Sequence, residues 1–181
     1  MRKLLDAGVA VFAARGYHAA RVDDIVKLAR TSHGTFYLYF SNKEDLFAAL
    51  AREVGDALQS LAESLPVLDT NGDSEAELRA WISRFADLYE AYGPIIRAWT
   101  EAEIGTHEFG RLGTDVLTRF TLTFTRRISG ALPDDVDPQI AALAFVAMLE
   151  RMNYYVLSKQ VSVKRDEMID VLTNIMHAAL T

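Results

Sequence analysis

The chain has 181 residues and a mass of 20.2 kDa, near the size of one domain or of a small head on a larger body. Half of the residues are hydrophobic and 24% are charged, and ten glycines and four prolines exclude a collagen-like or Pro/Gly-rich disordered chain. Without a cysteine there is no disulfide, thiolate-held zinc or thiol catalysis, and the net charge of −6 taken whole argues against a polyanionic partner.

The distribution of charge argues the other way. Residues 1–52 carry net +3, whereas residues 53–181 carry net −9. A basic head on an acidic body can press one surface onto a polyanion while the rest repels it; an excess of three over fifty residues is also an ordinary fluctuation.

Helical spacing runs nearly throughout. Leu5, Val9 and Phe12 mark a first helix, stopped by Gly16. A short helix over Val22–Ala29 turns Ile25, Val26 and Leu28 toward a core, and a third covers Ser32–Tyr39. A long helix from Lys43 to about Ser64 carries Leu46, Leu50, Val54, Leu58 and Leu61, and Pro66 closes it. Residues 66–74 read as a linker rich in turn residues. Ser74 with Glu77 forms a capping box for the next helix. Gly93-Pro94 breaks that helix, and Pro94 starts another to about Ile104. Further helices cover roughly 107–131, Pro138 to about Lys159, and Lys164 to the end. There is no strand alternation and no internal repeat, so the fold class is all-α.

The longest unbroken apolar run, Ile140–Leu149, is ten residues, short of the roughly 20 of a membrane span. The start, Met1 to Asp6, offers no signal-peptide core, and a cytoplasmic protein is expected. Apolar residues on every side of the helix at 140–149 imply burial on more than one face. The second face lies against another subunit or inside the core of a monomer.

The informative stretch is Arg21 to Leu46. Two short helices joined by the tight turn Arg30-Thr31 have the helix-turn-helix layout, in which the second helix enters the major groove. Ser32 can cap that helix with its hydroxyl. Gly34 is a poor helix former, which makes sense where the backbone must approach something closely, either a DNA edge or a neighbouring helix. Phe36 and Phe40 fall on one face and look buried, leaving Thr35, Tyr37, Leu38 and Tyr39 for other surfaces. Tyrosine hydroxyls reach phosphates, and small side chains reach base edges. Ser41-Asn42-Lys43-Glu44 reads as a capping box whose helix N-terminus, with Lys43 beside it, suits a phosphate.

Gly16-Tyr17, Val22-Asp23-Asp24-Ile25 and Gly34-Thr35-Phe36-Tyr37-x-Tyr39-Phe40-x-x-Lys43-Glu44-x-Leu46 together resemble the signature of the TetR family of transcriptional regulators. The match covers about residues 2–50. The resemblance implies an all-α homodimer, each subunit with a helix-turn-helix DNA-binding domain at 1–46 and a ligand-binding and dimerisation domain at 47–181. By position it places His33, Gly34, Thr35, Leu38 and Tyr39 against the groove, Tyr37 and Lys43 on phosphates, and Ser32 at the recognition-helix cap. It implies a palindromic double-stranded operator and dimer contacts through helices about 138–159 and 164–181. Three departures stand out. Arg30 and Thr31 replace a Gly and an apolar residue in the turn. Arg21 stands where a hydroxyl is common, and either makes a charge-assisted phosphate bond or is solvated. The basic N-terminal tail is absent or very short, so no minor-groove contact from it is expected.

In the body, Trp81, Phe85, Tyr89, Trp99, Phe120, Phe124, Met148 and Met152 are the candidates to line an apolar pocket, with Arg97, Thr121 or Asn153 as polar groups; the same side chains also suit a filled core. Glu101, Glu103, His107 and Glu108 are close in sequence but lack a metal-binding pattern, and no nucleophile triad or phosphate-cradling loop occurs. Neither enzyme activity, metal nor cofactor is expected. The reading is a repressor released from its operator by a small hydrophobic or aromatic effector; the alternative is a helical protein-interaction module with a degenerate head.

Overall fold

The computed structural model describes the backbone of residues 1–67, 73–103 and 107–180, and the side chains of the same residues except 73 and 97–113. Among the described residues eight helices follow in order: α1 (Arg2–Ala19), α2 (Val22–Leu28), α3 (His33–Tyr39), α4 (Lys43–Glu63), α5 (Asp73–Glu103), α6 (His107–Ile128), α7 (Pro138–Leu157) and α8 (Arg165–Leu180). A single 3-10 turn, Ser129–Ala131, extends α6. No strand occurs among the described residues, and the all-α fold read from the sequence is the one observed.

Packing divides the chain into two units. The first holds Met1–Asp56 and Tyr92–Asp115, and the second holds Ala57–Ala91 and Val116–Thr181. Helices α4, α5 and α6 each contribute to both.

In the first unit, α1 packs on α2 and α2 on α3. The buried face of α1 is Leu4, Leu5, Gly8, Val11 and Phe12, with Val9 only half-buried, so the stripe is rotated from the Leu5–Val9–Phe12 line expected. Gly8 explains the rotation. A Cβ there would sit 2.6 Å from the Leu46 side chain, so the missing side chain lets α4 approach closely. Helix α1 is interrupted where the sequence predicts a stop, because Gly16 takes φ 72°, ψ 168°, a conformation open essentially to glycine alone. Beyond the kink Tyr17 folds back on Phe12 and Phe47, with ring centroids 5.8 and 4.9 Å away.

Two caps differ from the expected ones. At α4 the Asn42 side chain accepts from Asp45 N–H at 2.7 Å, and the Asp45 carboxylate accepts from Ser41 N–H at 3.0 Å. The cap therefore sits one residue later than expected, on Asn42, with the Asp45 carboxylate reaching back to Ser41, and Glu44 instead accepts from the Tyr17 hydroxyl. At α5 the helix already includes Ser74, which is buried with its hydroxyl 3.1 Å from Nε2 of His177.

The break expected at Gly93-Pro94 does not occur, and α5 runs through it. Proline disfavours the helical conformation of its predecessor largely by clashing with that residue's Cβ, and Gly93 has none. Ile95, fully buried just beyond, anchors the continuation. The linker read at 66–74 falls mostly outside the described residues.

The second unit is built on α5, α6, α7 and α8, with α7 packed on α8. Asp137 caps α7 by accepting from the N–H groups of Gln139 and Ile140, and Pro138 takes the first helical position. The helix is 20 residues long and apolar enough on average to cross a membrane by length and composition. Its two sides differ, however. Ala142, Phe145, Val146 and Leu149 are buried, while Ile140 (70% exposed), Leu143 (53%), Ala144 and Ala147 face outward. A central core helix of a monomer is therefore ruled out. On α8, Val171 and Ile175 are likewise exposed beside buried Leu172 and Met176.

Candidate nucleic-acid interface

The turn between α2 and α3 is closed by Thr31 N–H donating to the Val26 carbonyl at 3.0 Å and Arg30 N–H to Lys27 at 3.2 Å. This is the glycine-ended helix terminus, but with Arg30 at φ 53°, in the left-handed region that a side chain occupies at a cost. Arg30 and Thr31 thus leave the turn intact. Ser32 caps α3 as the sequence predicts, accepting from Thr35 N–H at 3.1 Å.

Helix α3 has two opposed sides. Phe36 and Phe40 are buried, their rings 5.7 Å apart, and fix α3 to the unit beneath. On the other side Tyr37 is 57% exposed, Leu38 75% and Tyr39 46%, and Ser32, His33, Gly34 and Thr35 are exposed with them. Burial of two phenylalanines holds the helix rigid, while a neighbouring run of large side chains stays in water. A Cβ at Gly34 would meet nothing nearer than the Ser32 hydroxyl at 3.7 Å, which removes the neighbouring helix as its reason. That side of the helix start is open.

Lys43 has a second role that spacing did not reveal. Its ammonium donates to the carbonyls of Tyr17 at 3.0 Å and His18 at 3.5 Å and lies 4.6 Å from the Tyr17 ring centre. It ties the end of α1 to the start of α4, with one of its three protons left over. Burial, then the Glu44 carboxylate, raises the Tyr17 phenol far above its ordinary value, so this tyrosine stays neutral. Arg21, exposed at the N-cap of α2, has no side-chain capping bond.

The sequence also missed Asp23. Its carboxylate lies 3.0 Å from Nε2 of His33, both side chains being exposed. The sequence named Asp23 only within the Val22-Asp23-Asp24-Ile25 run, as one of an acidic pair in the first turn of α2, a common companion of any helix N-terminus.

Of the candidate pocket residues, Trp81, Phe85, Tyr89, Phe120 and Phe124 are buried and in one connected set of ring contacts, 5.6–6.5 Å between centres. Met148 and Met152 are half-buried on α7. The side chains of Arg97, Trp99, Glu101, Glu103, His107 and Glu108 lie outside the described residues. Two polar side chains expected among the aromatics carry unpaired buried oxygens: Asn153 Oδ1, whose amide donates to the Leu149 carbonyl, and Thr121 Oγ1.

Residues 4–50 match the family model described as bacterial regulatory proteins, tetR family. The HTH-type transcriptional repressor SCO4008 of Streptomyces coelicolor is 32% identical over 59% of this chain and 52% of its own length. The fatty acid metabolism regulator protein of Bacillus subtilis is 41% identical over 35% of this chain and 33% of its own. The HTH-type transcriptional regulator EthR of Mycolicibacterium smegmatis is 27% identical over 85% and 73%. This chain thus spans a third to a half of the first two. Among solved structures, the regulator FadR from Bacillus subtilis in complex with stearoyl-CoA superposes with a TM-score of 0.74 at 20% identity, covering 99% of both chains, which shows a shared fold. The amino-terminal match and the fold agree: residues 4–50 carry the match to the tetR family of bacterial regulatory proteins, and the chain as a whole shares its fold with FadR.

Proposed function

We propose that this regulator is a homodimeric repressor that binds a palindromic DNA operator and leaves it when an apolar effector enters the body. The division of labour is a DNA-binding domain at 1–46 and a ligand-binding and dimerisation domain at 47–181. The observation that carries the reading is the two-sided α3: Phe36 and Phe40 buried beneath, and His33, Thr35, Tyr37, Leu38 and Tyr39 exposed above. A rigid helix with large side chains held in water is suited to an external partner. Ser32, Gly34, Arg21 and the remaining proton of Lys43 complete the contact set, with Tyr37 and Lys43 toward phosphates.

The outward stripes of α7 and α8, Ile140, Leu143, Ala144 and Ala147 with Val171 and Ile175, supply the dimer contact. The small alanines let two helices approach, and two-fold symmetry would set the heads one helical repeat, about 34–36 Å, apart. Such a protein works in the cytoplasm, where the DNA is.

The effector would meet an apolar lining supplied by Trp81, Phe85, Tyr89, Phe120, Phe124, Met148 and Met152, with the unpaired oxygens of Asn153 and Thr121 as its polar anchors. The structural relative holding stearoyl-CoA makes a long acyl chain the first probe. Coupling of about 1–3 kcal/mol would change operator affinity roughly 5- to 150-fold.

The test is binding of the full chain to duplex fragments in rising salt. With about six phosphates contacted by positive groups, log K falls against log salt with a slope near −5. A flat response, or no preference for any palindrome, refutes the DNA reading. Stearoyl-CoA is then titrated into the complex; release supports an acyl effector, and an unchanged complex rejects it.

A further inference from the structure

An aspartate on a surface meant for phosphates is a liability, because it repels them. Asp23 stands on such a surface and is itself exposed, at the first turn of α2. Its carboxylate is 3.0 Å from Nε2 of His33, the first residue of the recognition helix. The His33 ring also lies nearly parallel to the Tyr37 ring, centres 6.4 Å apart and planes 27° from one another. The imidazole is thus held at one nitrogen by Asp23 and on one face by Tyr37. Its other nitrogen, Nδ1, has no partner among the described residues.

We infer that Asp23 is a positioning residue for DNA specificity: it orients His33 so that the free nitrogen of the ring reads a base rather than a phosphate. This rests on the DNA-binding reading above and deepens it. The chemistry follows from which nitrogen is occupied. Nε2–H donates to Asp23, so a neutral ring presents Nδ1 as a lone-pair acceptor. In the major groove an acceptor matches only an exocyclic amino group, adenine N6 or cytosine N4, and not guanine O6 or N7. A freely rotating histidine could present either nitrogen and discriminate poorly. The negative charge is retained because it is needed to select one ring orientation, and it lowers binding to all sequences alike.

The experiment is selection of a randomised palindrome by the full chain at pH 8. It is followed by affinity measurements on the selected duplex and on an unrelated one. The selected sequence is expected to hold one symmetry-related pair of positions where adenine or cytosine is preferred. Asp23→Ala should flatten that preference several-fold while raising affinity for the unrelated duplex. His33→Ala should flatten the same position, the double variant should add nothing further, and Asp23→Asn, which keeps an acceptor for Nε2–H, should restore the preference. If Asp23→Ala raises affinity for both duplexes equally with the preference intact, Asp23 acts only as a charge and the inference is overturned. If His33→Ala leaves every position unchanged, His33 is not a base reader and the inference likewise fails. Should the unaltered chain bind no duplex, the DNA reading itself falls, a different result from either.

Discussion

The aromatics of α3 and those of α5 and α6 make opposite use of the same kind of side chain. In the body, Trp81, Phe85, Tyr89, Phe120 and Phe124 touch one another and are almost wholly withdrawn from water. In the head, Phe36 and Phe40 do the same, but Tyr37 and Tyr39, interleaved with them, remain in solvent. Burial of an aromatic ring is the default outcome of folding and says little about function. Exposure of two tyrosines and a leucine on a rigid seven-residue helix runs against that default, so it is where function can be read.

The contrast can be broken most forcefully at Trp81, whose ring is fully buried and whose indole N–H donates to the Leu61 carbonyl at 2.8 Å. Trp81→Ala should cost about 3–5 kcal/mol of stability, read by denaturant unfolding. A loss under 1 kcal/mol would mean the body's rings are loosely packed. Tyr37→Phe sharpens the other side: operator affinity should fall about tenfold, as for the loss of a hydrogen bond of about 1.5 kcal/mol to a charged group. The unfolding midpoint should not move; a shift in stability instead of binding would reassign Tyr37 to the fold.

Smaller effects of opposite sign are expected at Gly34. Gly34→Ala should raise stability by up to about 1 kcal/mol, since the helix gains a better former and the added carbon meets open space. Operator binding should weaken, because that space lies where a DNA edge would approach. Unchanged binding would leave Gly34 without a role in contact.

The smallest effect is one of pH. Burial alone would raise the Glu53 carboxyl, but hydrogen bonds from Tyr92 at 2.6 Å and Arg2 at 2.7 Å, with the charge of Arg2, outweigh it and hold it below the ordinary value of 4.5. A carboxylate with a lowered folded value stabilises fully above its unfolded value and loses that contribution as pH falls through the folded one. The stability difference between the natural chain and Glu53→Gln should therefore be constant above about pH 5.5 and shrink below about pH 4.5. Melting curves from pH 3 to 7 would show it, and a difference that does not vary with pH would remove the carboxylate's charge from the account.

Much of the head was legible in order of residues alone. Turn residues, a capping serine and the spacing of Phe36 and Phe40 are local constraints, set within a few positions of the chain. The helical class followed from periodicity for the same reason. What spacing could not show were relations between distant residues: Gly8 making room for Leu46, Lys43 closing the end of α1, Asp23 holding His33, and α5 passing through Pro94 because Gly93 lacks a Cβ. Nor could it tell which side of α7 is covered, since an all-apolar run has no phase until something packs against it. Local chemistry wrote the recognition helix and its cap; only the packing of helices far apart in sequence decided which of its side chains are held and which are free.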